Sequence, residues 1–222
     1  VTRGLLNLAH RDGHEHPQQL EPGRRYNVRI ELDSTGYALP AGHRLRVAVS
    51  STYWPWAWPS PEPVTLTLHG GTLELPVRPL RAEDADLADF AVPEHTPKLE
   101  TEQQEAPPDG RSLRRDYATG RLEQRFDYDA GGTVRFVAID LVSEDSNSVA
   151  YSIVDGDPLS AEVEFRAASG IARGAWSGRA EVAASMRADA EAFHVHSELT
   201  ATENGDVVFT RTWEHRFPRD HV

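Results

Sequence analysis

From Tyr26 to Leu32 every second residue is apolar: Tyr26, Val28, Ile30 and Leu32 take one parity, and Asn27, Arg29 and Glu31 the other. Only a strand, whose successive side chains point to opposite faces, turns that order into one buried face and one wet face. The pattern recurs. Leu45, Val47 and Val49 alternate with Arg44, Arg46 and Ser50, and Val64, Leu66 and Leu68 precede the turn at Gly70-Gly71 and the stripe Leu73, Leu75 and Val77. Glu21-Pro22-Gly23 and Pro40-Ala41-Gly42 punctuate these runs as turns. Residues 1–78 therefore read as antiparallel β with one buried face.

Residues 79–110 break the rhythm. Prolines at 79, 93, 97, 107 and 108 interrupt a run of acidic residues opposed only by Arg81 and Lys98. Such a segment buries too little to offset its ordering entropy, and it reads as an acidic, proline-rich linker with one short helical turn near Glu83 to Phe90. Alternation then returns over 111–222: Leu122, Phe126 and Tyr128; Val149, Tyr151 and Ile153; Ala161, Val163 and Phe165; Trp176 and Ala180 to Met186; Phe193, Val195 and Leu199. Val134 to Val142 is apolar on both parities and reads as one central strand. For the last hairpin, a three-residue loop Glu203-Asn204-Gly205 sets Leu199 opposite Phe209 and Val195 opposite Trp213, with His194 facing Glu214. No segment keeps a helical period. The expected architecture is all-β: a first sandwich, the linker, and a second antiparallel sandwich or barrel-like region.

Several function classes fall away. A net charge of −12 repels phosphate backbones, which speaks against nucleic acid. The chain has no cysteine, hence no disulfide framework and no thiolate chemistry, which fits a reducing, cytoplasmic setting. Nothing approaches the apolar run of a membrane span. Neither a G-x-S-x-G elbow nor a phosphate-cradling glycine loop occurs, so no catalytic residue and no cofactor is assigned. The opening Val1-Thr2-Arg3-Gly4-Leu5-Leu6, with alternation already under way, reads as the inside of a longer fold.

Two sets of residues remain. His14 with His16, and His194 with His196, are H-x-H pairs that a strand would aim the same way, as two imidazoles for a metal or as part of a solvated face. Tyr53, Trp54, Trp56 and Trp58 sit in YWPWAWPSPEP, whose prolines exclude a central strand. Three readings compete: a sugar-stacking platform, a core corner, or the contact face for another domain. A platform needs the indoles aligned, whereas a core corner or an interface does not.

His10-Arg11-Asp12, Pro17, Leu20-Glu21-Pro22-Gly23, Tyr26, and above all Ala41-Gly42-His43-Arg44-Leu45-Arg46-Val47 followed by Trp54-Pro55 resemble the C-terminal β domain of X-prolyl dipeptidyl-peptidases and cocaine-esterase-like serine hydrolases. The ending, Phe193 through Trp213 to Pro218-Arg219-Asp220, is similar to the tail of longer members. The resemblance implies a galactose-binding-like jelly roll lacking its first strands over residues 4–78. It also implies a Ser-Asp-His triad on an upstream α/β-hydrolase domain, which this chain would pack against. A jelly roll with an open sheet edge within residues 1–78 would invite a homodimer or strand exchange.

Overall fold

The computed structural model describes residues 1–107 and 110–221; Pro108 and Asp109 of the expected linker, and Val222, lie outside them. The fold is all-β. Eight strands form one open antiparallel sheet: β1 (Thr101–Glu105), β2 (Gly110–Arg115), β3 (Arg121–Phe136), β4 (Leu141–Val154), β5 (Asp157–Arg173), β6 (Trp176–Ala188), β7 (Ala192–Glu203) and β8 (Asp206–Pro218). From β3 onward it is a meander in chain order, with β1 and β2 both on the outer side of β3 and β8 at the opposite edge.

Cross-strand neighbours share a face, so the register sorts the side chains. One row runs Val149, Phe165, Ala184, Ser197, Trp213, and the next Tyr151, Val163, Met186, Val195, His215. The opposite face carries Ala150, Glu164, Ser185, His196 and Glu214. The period-two reading of 111–222 is thus realised as one amphipathic sheet. On the polar face Arg121 reaches across to Ser152 and to Glu162 (2.9 Å), and Arg179 pairs with Glu144 and Glu181.

Three expectations need correction. Val134 to Val142 is not a single strand: β3 ends at Phe136, a 3-10 turn spans Val137–Ile139, and Asp140 adopts a left-handed backbone (φ 48°) that reverses the chain into β4. Phe136 then stands opposite Leu141, so the run apolar on both parities is a hairpin corner. The last hairpin turns on two residues, Asn204 and Gly205, both at positive φ, with Glu203 opposite Asp206. Without a bulge such a turn would set Leu199 opposite Thr210 and mix the faces. The chain restores them with a bulge between Ala201 and Thr202, which brings Ala201 opposite Phe209 and Leu199 opposite Arg211. His194 consequently faces Arg216, and it is His196 that faces Glu214.

The third correction concerns the first region. Among the described residues none before Thr101 belongs to a hydrogen-bonded strand. The chain there is extended, with 3-10 turns at Leu8–His10 and Ala82–Asp86, the latter within the expected helical turn. One trace of pairing exists: the Asp33 N–H donates to the Arg3 carbonyl (2.8 Å), and Gly4 passes so close to Glu31 that a Cβ would overlap its carbonyl oxygen. Val28, Ile30, Leu45 and Val47 stay exposed. Alternation fixes which side chains would share a face, but a ladder also needs a second strand bonded in register along its length, and here pairing stops at the single Arg3–Asp33 bond. The edges of the sheet are accordingly β8 and, on the other side, β1 and β2, none of them within residues 1–78, and β1 falls inside the segment expected as linker.

The accessible surface is 17824 Å², against about 10,000 Å² for a compact monomer of this mass. The difference lies in the extended first region and in a sheet whose apolar face is covered over only part of its width.

Candidate functional site

The cover is the tryptophan run. The Ala57 N–H donates to the Tyr53 carbonyl (3.0 Å), closing a turn around the cis Trp54–Pro55 peptide. The turn lies on the apolar face of the sheet. Trp54 meets Trp58 edge to face (5.0 Å, 88°) and Tyr151 likewise (6.0 Å, 85°), while Trp58 meets Phe193 (5.5 Å, 85°). Phe126 continues the series against Tyr151 (6.1 Å). Edge-to-face contacts suit aromatic quadrupoles and add roughly 0.5–1.5 kcal/mol per pair beyond area burial. Burial raises the Tyr151 phenol above its ordinary pKa, with Tyr128 adding to the effect. Trp58 Nε1 is buried without a hydrogen-bond partner, so packing alone holds that ring in place.

Trp54 and Trp58 are half-buried in this herringbone, and Trp56 is 63% exposed. The Arg3 guanidinium lies over the Trp56 ring at 3.9 Å and within 5.9 Å of the Tyr53 ring. Perpendicular planes for Trp54 and Trp58, with Trp56 on the outside, make no flat aligned surface.

One buried cation fastens the turn to the sheet. Arg219, just past the end of β8, is 4% exposed. Its Nη2 donates to the Pro59 carbonyl (2.6 Å) and its Nη1 to the Asp189 carbonyl (3.0 Å), and its guanidinium lies 5.0 Å from the centre of Phe193. Burial lowers its pKa, which Asp189 counteracts. Asp189 opens the β6–β7 turn. Its carboxylate accepts from His194 Nε2 (2.8 Å) and from the N–H groups of Glu191 and Ala192 (2.8 Å each). The histidine bond first, and then the two backbone bonds, hold this carboxyl well below the usual range. A second thread joins the ends of the chain: Asn7 Nδ2 donates to the His221 carbonyl (3.2 Å).

Of the histidine pairs only His194 reaches this corner, through Asp189. His194 is engaged by Asp189, and His196 lies between Glu198 (3.1 Å) and Glu214 (3.5 Å) on the polar face. His14 contacts His10, Nδ1 to Nδ1 at 2.9 Å, and His16 lies beside Glu15. Among the described residues no group of three or more His, Cys, Asp or Glu side chains is arranged to hold a metal. Arg11 is spent locally, donating to Leu8 O (3.0 Å) and Gln18 O (2.9 Å) beneath the loop.

Sequence reasoning found the tryptophans but not what receives them. Arg219 carries a signal only in hindsight: an arginine following a proline at the end of the last alternating run. Tyr151 was legible as one of an apolar stripe but not as the ring that meets Trp54, and Asp189 carried no signal, because both roles depend on distant chain.

The family assignment follows the first region. Residues 1–106 match the model of the X-Pro dipeptidyl-peptidase C-terminal non-catalytic domain. Over this stretch, a little under half of the chain, the sequence is similar to that family. The match takes in the His10-Arg11, Gly42-His43-Arg44 and Trp54-Pro55 segments that carried the resemblance, and ends within the first strand pairings of the sheet. The domain is described as non-catalytic, and no catalytic residue is assigned to this chain. No match was found among curated proteins or among solved structures. Among the described residues no helix is long and apolar enough to cross a membrane, which says nothing of strands.

Proposed function

We propose that this chain serves as a non-catalytic C-terminal module of a cytoplasmic serine hydrolase acting on peptide or ester bonds, packing on the α/β-hydrolase domain and helping to wall its substrate cleft. The observation that carries this reading is the match of residues 1–106 to a peptidase's C-terminal non-catalytic domain. The contact we assign to it is Tyr53, Trp56 and Arg3. Tryptophan, tyrosine and arginine are the residue types that dominate binding energy at interfaces, and a stiff, proline-bounded loop loses little entropy on docking. Trp54 and Trp58 would act from below by fixing the loop. The rival sugar platform is disfavoured by the 88° angle between Trp54 and Trp58. A metal role for His194 and His196 is disfavoured because carboxylates already engage both rings. A further contact of the same reading is between copies of the chain at the open sheet edge.

The test is Trp56→Ala in the full-length hydrolase. Loss of an interface anchor should cost at least tenfold in kcat/KM or loosen the catalytic domain to proteolysis, by the usual range of such anchors, about 2 kcal/mol or more. In the isolated chain the melting temperature should hardly move. Unchanged activity and unchanged proteolysis of the parent would reject the contact.

A further inference from the structure

The β8 edge has a readable hydrogen-bond phase. The Arg219 N–H donates to the Glu191 carbonyl (2.8 Å), continuing the register that sets Pro218 opposite Ala192. Bonded and non-bonded pairs alternate along an antiparallel ladder. Phe217, His215, Trp213, Arg211 and Phe209 therefore turn their backbone groups towards β7. Arg216, Glu214, Thr212 and Thr210 turn theirs to solvent. Pro218, which lacks an N–H, stands at an outward position where none is missed, as expected of an edge strand. Phe209 and Phe217 are about half exposed at this edge.

We propose that two copies of the chain pair through β8 about a two-fold axis, with Trp213 opposite Trp213 of the partner subunit. In this register Thr212 bonds with Glu214 of the partner subunit, and Thr210 with Arg216 of the partner subunit, so every outward N–H and C=O of those residues is used. Moving the axis towards Thr212 draws the bulged residue Val208 into the ladder. Moving it towards Glu214 sets Thr210 against Pro218, which has no N–H to give. The side chains agree with the backbone. On the apolar face Phe209 meets the partner's Phe217, and Trp213 meets its own copy in a close, non-bonded pair. On the polar face no carboxylate faces a carboxylate and no arginine an arginine. A two-fold pairing consumes the β8 edge of both copies, so this contact closes at the dimer and cannot propagate through β8. The inference deepens the copy-to-copy contact of the proposed function, and because it needs nothing from the parent hydrolase its failure leaves the Trp56 contact to its own test.

The chain has no cysteine, which makes the register testable. Sedimentation of the 222-residue chain should give twice the monomer mass of 24.7 kDa. Thr212→Pro removes an outward N–H without touching the β7 ladder, and should return a monomer with unchanged far-UV circular dichroism. Under mild oxidation Trp213→Cys should form an intermolecular disulfide about tenfold faster than Arg211→Cys or His215→Cys alone, because only the axial Cα atoms come within disulfide reach. A mixture of the latter two should cross-link to each other. That mixture keeps the test valid if the tryptophan variant does not fold. A monomer at all concentrations, a persistent Thr212→Pro dimer, or equal cross-linking at the three single positions would overturn the pairing.

Discussion

Residues 1–106 and residues 110–221 are made from the same alphabet of alternating side chains, yet they end differently. The first carries the family's sequence and contributes one short strand, β1, at its very end. The second lies beyond the matched residues and holds the long strands of the sheet. What separates them is the supply of partners. In the second, each strand returns through a tight turn, such as Asn204-Gly205, and meets its predecessor in register. In the first, the stripes at 26–32 and 45–49 are separated by open turns, and each stays extended outside any ladder, with only the Arg3–Asp33 bond beside the first. Amphipathic patterning is a property of one strand, whereas a sheet is a property of at least two.

The contrast predicts its own largest test. In native-state hydrogen exchange, amides of β3 to β7 facing a neighbour should be protected by orders of magnitude over those at 26–32 and 45–49, since exchange follows the free energy of local opening. Equal protection in both regions would break the comparison outright. Adding the parent's catalytic domain should raise protection in the first region if that domain supplies the missing neighbours.

Next in size is Arg219→Ala. The substitution leaves the Pro59 and Asp189 carbonyls without their donor and removes the plane packed on Phe193. Loss of a buried, hydrogen-bonded charge of this kind costs about 2–4 kcal/mol. For a chain of this length that is roughly 5–15 °C in melting temperature. Tryptophan emission should shift to the red as Trp54 and Trp58 lose their cover. A variant melting like the wild type would mean that the turn rides on the sheet without being fastened to it.

How far the sequence carried the reading can be judged from these same residues. The strand positions of 111–222 were legible because the period of two is a local signal, and the apolar parity named Val149, Tyr151, Val163 and Phe165 correctly as one face. The last hairpin was read with a loop one residue too long and partners two residues off, Arg211 standing opposite Leu199 in place of Phe209, because a bulge is invisible in a pattern that assumes perfect alternation. The tryptophan run was legible as a stiff turn, since its prolines forbid a ladder. Arg219 and Asp189 were not, as each acquires its meaning from a carbonyl or a histidine supplied by distant chain. The stripes before residue 78 show the reverse error, a local signal without the neighbour needed to express it.

The smallest expected effect separates the turn's own chemistry from the packing above it. The Asp189 carboxyl is depressed chiefly by His194 and then by the N–H groups of Glu191 and Ala192. A carboxyl whose folded pKa lies below its unfolded value, about 3.9, contributes stability that is complete above the unfolded value and fades as pH falls towards the folded one. Wild type should thus lose stability between about pH 5 and pH 2 more steeply than Asp189→Asn, whose side chain does not titrate. At pH 7 the variant should be the less stable of the two, by less than Arg219→Ala, because Asp189 is solvent-exposed and its interactions are screened. The Arg219 bond runs to the backbone carbonyl of residue 189, which asparagine retains, so the tryptophan emission should stay where it is. A red shift in Asp189→Asn equal to that of Arg219→Ala would show that the carboxylate, and not the guanidinium, holds the tryptophan turn on the sheet.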